Sequence, residues 1–64
     1  MSYEIYNIYS IDAAVNAIDE DFDLDDDDRD EFRENGELLI YDEDGYIVAH
    51  VWYDSDNHLV SVDC

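Results

Sequence analysis

Lysine and proline are absent from this 64-residue chain, which has two glycines, one cysteine and two arginines. Each shortage excludes something. Affinity for nucleic-acid phosphates comes from Lys and Arg, so Arg29 and Arg33 alone argue against direct binding to DNA or RNA. Docking on an anionic membrane fails for the same reason. With only Gly36 and Gly45, no glycine-rich phosphate loop can form. Cys64 has no partner for an internal disulfide and no residues after it to complete a prenylation box. No basic leader and no apolar run of membrane length is present. The expectation is a reduced, cytoplasmic protein without a cofactor, and a chain too short for a large enzyme cleft.

Acid is abundant. Twenty Asp and Glu give a formal charge of −18. High charge with few apolar groups means disorder, but here 47% of the residues are apolar and 14% aromatic. That is enough for a small core.

The pattern predicts an α+β domain spanning residues 1–64: an N-terminal strand, two helices, then a three-stranded antiparallel β-meander. Residues 3–9 are rich in strand formers, with an apolar start to a helix as the competing reading. As a strand, they place Tyr3, Ile5 and Tyr9 on one face and Tyr6 and Ile8 on the other. Ser10 caps a helix over 11–22, where Ile11, Ala14, Val15, Ile18 and Phe22 form an apolar stripe. Asp25 caps a second helix, which runs to Asn35 and stops at Gly36. Only Phe32, with Leu24 ahead of it, anchors that helix. Strands follow at 38–41, 46–53 and 58–63, joined by turns at 42–45 and 54–57. On the long strand Ile47, Ala49 and Val51 share one face, and Tyr46, Val48, His50 and Trp52 the other. One face covers the helices. The other forms either a second core layer or an exposed surface suited to a dimer through Tyr46 and Trp52, although a monomer is the simpler expectation.

Between Asp19 and Glu31, ten of thirteen residues are acidic. One reading is a solvated, solubilising face. A second is a calcium site, since Asp21-x-Asp23-x-Asp25 opens like a calcium loop. Asp26 then stands where the bend needs Gly, and Phe32 where a bidentate Glu is needed, so no metal site is expected. A third is adaptation to brine. The fourth is imitation of nucleic acid. Eighteen charges correspond to roughly 9 base pairs, or about 31 Å of B-DNA, close to the ~27 Å diameter expected for a domain of this length. Carboxylates, like phosphates, present acceptor-only oxygens to Arg and Lys.

In size, charge and the stretch Asp19-Glu-Asp-Phe-Asp-Leu-Asp-Asp-Asp-Asp-Arg-Asp-Glu31, the chain resembles the small acidic DNA mimics of phages and mobile elements. These include anti-CRISPR proteins, antirestriction proteins and uracil-DNA glycosylase inhibitors. The resemblance is one of character and rests on no specific motif. It implies an inhibitor, acting in the host cytoplasm if phage-encoded, that occupies the basic DNA-reading surface of a defence complex. A type I CRISPR effector is the favoured target. The alternatives are an inhibitor of another DNA-binding enzyme, a restriction enzyme or a uracil-DNA glycosylase, and an acidic structural or regulatory module that binds a basic partner. The expected partner-binding residues are Asp19, Glu20, Asp21, Asp23, Asp25, Asp26, Asp27, Asp28, Asp30, Glu31 and Glu34, helped by Asp42, Glu43 and Asp44. His50 and His58 have no second partner at recognisable spacing, Cys64 has no organised base, and a non-enzyme is expected.

Overall fold

Side-chain caps set the helix boundaries. In the computed structural model, which describes residues 1–64, the Ser10 hydroxyl accepts the Ala13 N–H at 3.1 Å and opens α1 (Ile11–Phe22). Asp23 ends it in the left-handed region at φ 55°, donating its N–H to Asp19 O. Asp25 then accepts the Asp28 N–H at 2.8 Å and opens α2 (Asp26–Asn35). Gly36, at φ 74°, closes α2 with an N–H bond to Phe32 O at 2.7 Å. Left-handed backbone costs Gly nothing, which is why this helix stops there.

The strands are β1 (Ser2–Tyr6), β2 (Glu37–Tyr41), β3 (Ile47–Asp54) and β4 (Leu59–Asp63). They form one antiparallel sheet in the order β1-β4-β3-β2. The last three strands are a meander, and β1 completes the sheet beside β4. Both helices lie between β1 and β2 in the chain and cover one face of the sheet. The core joins Ala14, Val15 and Ile18 of α1 with Phe32 of α2, Leu24 between them, and Leu38, Ile40, Ala49, Val51, Val60 and Val62 of the sheet. Ile11 and Phe22 flank the helical stripe, half-buried. Phe32 is the only buried residue of α2.

Three expected placements change. Asn7 takes φ 65° and ends β1, so the alternation of the strand does not reach Ile8 and Tyr9. Ile8 turns into the core, and Tyr9 is exposed beside the His58 ring, 4.5 Å between centroids. Between β2 and β3 the register jumps from Ile40↔Ala49 to Tyr41↔Ile47, leaving Val48 as an extra residue. This bulge puts Ile47 on the same face as Tyr41, away from Ala49 and Val51. His58, at φ 56°, belongs to the second turn, and β4 starts one residue later.

The other face of the sheet has no layer over it. Tyr6, Leu39, Tyr41, Ile47, Val48 and Trp52 are all exposed there. Of the two readings of this face, the structure shows the exposed one.

Candidate functional site: an acidic helical layer

On α2 every polar side chain is acidic, arginine or the terminal asparagine, and Phe32 fixes which side turns inward. Asp27, Asp30, Glu31 and Glu34 are consequently exposed on the outer side. At 100° per residue they fall within a sector of about 100°. Their axial span is about 10.5 Å, one carboxylate per roughly 3.5 Å, against ~3.4 Å per charge along one strand of B-DNA. Asp27, Glu31 and Glu34 have no cationic partner within ion-pair distance.

Other acids of the run are occupied in holding the two helices together. Arg29 reaches both oxygens of Asp19 at 3.3 Å, the Leu24 carbonyl at 3.0 Å, and Asp26. Asp19 also accepts the Leu24 N–H at 2.8 Å. Arg33 bonds Asp12 of α1 at 2.9 Å and Asp30 of its own helix at 3.2 Å. Each arginine therefore pairs once within α2, at the expected helical spacing, and once across to α1. Asp21 accepts the Tyr3 hydroxyl at 2.9 Å; burial, then the Asp21 carboxylate, push that phenol up to about 12. Asp23 and Asp25 are the caps described above.

The predicted site residues thus divide by role. Asp19, Asp21, Asp25, Asp26 and Asp30 make structural bonds, and Asp23 supplies a turn through its backbone. Glu20, Asp27, Glu31 and Glu34 are exposed and free of side-chain bonds. Asp28 is half-buried at the inner edge of α2. Burial, then the charges of Asp25, Glu31 and Asp27, raise its carboxyl above the ordinary value.

The hairpin acids stand apart. Asp42 accepts the N–H groups of Asp44 and Tyr46, each at 2.9 Å, and so builds the β2–β3 turn. The carboxylates of Glu43 and Asp44 project freely, and no hydrogen bond or ion pair links this turn to the helices. Asp54 organises the other turn by accepting from Asp56 N, Asn57 N and Asn57 Nδ2. The Asn57 side chain, with both backbone donors, holds its carboxyl below the ordinary range.

The calcium-like triplet lies across the α1–α2 junction, with Asp21 on Tyr3 and Asp25 on a helix start. No group of three or more His, Cys, Asp or Glu side chains converges anywhere to hold a metal. No helix is long and apolar enough to cross a membrane.

One feature of the surface has no signal in the acidic run. A groove of about 460 Å³ lies where α2 meets the β2 edge, lined by Glu31, Asn35, Glu37, Leu39, Tyr41 and His50, among others. Glu37 bonds the His50 ring at 3.3 Å. Tyr41 reads in sequence as an ordinary strand residue and Glu37 as the residue between the helix stop and that strand; β2 in fact starts at Glu37, and only the sheet order makes both rim residues. No protein-family model, curated protein or solved structure matches this chain.

Proposed function

We propose that this protein is a DNA-mimic inhibitor. It occupies the PAM- and duplex-reading surface of a host nucleic-acid-binding defence complex, with a type I CRISPR effector as the favoured target. The observation that carries this reading is the outer side of α2. Four exposed carboxylates lie there within about 10.5 Å of axis, an average charge density near that of one DNA strand. Three of them lack any intramolecular cation, so the arginines and lysines of a DNA-binding groove meet them unneutralised. The whole molecule supports it: a charge of −18 is carried on a body whose longest extent is 34 Å, comparable to the roughly 31 Å of duplex bearing the same charge.

The test is competition on a purified type I effector between this protein and a PAM-containing duplex. Mutual exclusion is expected. Replacing Asp27, Glu31 and Glu34 by Asn, Gln and Gln should weaken binding by at least about tenfold, chiefly by slowing association at low salt. An effector that holds protein and duplex together would reject the mimic and leave the acidic module with a basic partner. A restriction enzyme and a uracil-DNA glycosylase are the second targets for the same assay, since their grooves present the same chemistry.

A further inference from the structure

We propose that the open edge of β2 and the groove beside it receive an extended, arginine-bearing segment of the partner as a fifth strand of the sheet. This rests on the cationic partner proposed above, and it names the contact that such a partner makes beyond long-range charge.

Backbone geometry carries the first part. β2 is the last strand in the sheet order, with β3 on one side only. Tyr53 N–H donates to Gly36 O at 2.8 Å, just ahead of β2, and the register pairs Glu37 with Trp52. Gly36, Leu38 and, two residues on, Ile40 therefore aim their backbone groups at β3. Glu37 and Leu39 aim theirs at the open edge. Neither residue's N–H or C=O bonds to a turn, a cap or a side chain. β2 contains neither Lys nor Pro, two of the groups that block pairing at a sheet edge. β1, the other edge strand, has no groove beside it.

Side-chain chemistry selects the occupant. The groove is lined by Glu31, Glu37, Leu39 and Tyr41, and by His50, whose ring bonds the Glu37 carboxylate at 3.3 Å. A guanidinium entering this groove meets Glu31 and Glu37 as anionic partners, with the Tyr41 ring and Leu39 available to its face and aliphatic stem. A second copy of this chain fits poorly, because β2 against β2 brings −18 towards −18 with no Lys to offset it.

The geometry also dictates which backbone groups of the incoming strand matter. Glu37 and Leu39 put their side chains on the open face and their backbone groups at the edge. In an antiparallel pair the residues opposite them exchange both hydrogen bonds and share that face. Those residues must be the arginines.

The probe is a blocked octapeptide alternating Arg and Val, titrated into the ¹⁵N-labelled protein. Amide shifts and slowed hydrogen exchange are expected at Glu37 and Leu39. N-methylation at the Arg positions should weaken binding by at least about tenfold, while N-methylation at the Val positions should leave most of it. Glu31→Gln with Glu37→Gln should weaken it about tenfold with β2 still formed. Shifts confined to the α2 acids, or equal loss for the two methylated peptides, would overturn the proposal. So would sedimentation showing that a dimer of this chain covers β2. Competition with duplex DNA that survives in a chain unable to take the peptide would overturn this inference alone and leave the proposed function standing.

Discussion

Asp28 and Asp54 show how the same residue type acquires opposite pH behaviour from its surroundings. Asp28 is pushed up by burial and by neighbouring acids, so the folded chain holds that proton more tightly than the unfolded one. Its contribution to stability is complete below the ordinary value of 3.8 and is lost as pH rises through the folded value. Asp54 is pulled down by its hydrogen bonds, so its contribution is present above 3.8 and is lost as pH falls through the folded value. Asp28→Asn should therefore raise the melting temperature at pH 7, and the gain should vanish near pH 3. Asp54→Ala should lower it at pH 7, with the difference narrowing in acid. Thermal melts of both variants at the two pH values check this. An Asp28→Asn variant that melts lower at pH 7 would mean that the charged form is the one the fold favours.

At the scale of elements, α2 is both the proposed contact and the less anchored of the two helices, with one buried side chain against three in α1. Its interior attachment is Phe32, helped by Leu24 and by the arginine bridges to Asp19 and Asp12. Those bridges are partly or largely exposed and contribute modestly. Loss of the Asp25 cap by Asp25→Ala should cost about 1 kcal/mol. Its mark should be faster amide exchange in α2 than in β3 or β4. Phe32→Ala should cost about 3–5 kcal/mol, a large part of the stability of so small a domain. Uniform acceleration in the cap variant would show that α2 opens only with the whole molecule. Because Asp26 and Asp30 hold arginines, a test of recognition that spares the fold must use Asp27, Glu31 and Glu34 instead.

For the whole molecule, self-repulsion sets the working conditions. A charge of −18 is held within a radius of gyration of 10.8 Å. The Debye length falls from about 30 Å at 0.01 M salt to about 8 Å at 0.15 M, shorter than the molecule. Added salt should therefore stabilise the fold, and each kcal/mol of relieved repulsion should raise the melting temperature by roughly 4–8 °C. Melts across that salt range test it, and a flat or falling curve would show that attractive pairs outweigh the repulsion. The same salt should weaken partner binding, so stability and affinity are expected to move in opposite directions.

Local chemistry was enough for the elements themselves. Ser10, Asp25 and Gly36 mark helix ends because caps and left-handed stops act within a single turn. The Ala14, Val15 and Ile18 face and the three strands of the meander follow from periodicity alone. The acidic run is equally plain in the sequence, but its division of labour is not. Arg29 and Arg33 each have a sequence-near acid, whereas Asp19 and Asp12 become their partners only when α1 and α2 meet. Ile47 reads as sharing a face with Ala49 and Val51 until the bulge at Val48 turns it out, since one extra residue puts the side chains before and after it out of step. Tertiary structure also decided which sheet face stays open and that β2, a middle segment of the chain, becomes an edge. Those outcomes depend on which strands pair, and pairing brings together residues as distant as Ser2 and Asp63. No local propensity encodes a contact at that separation.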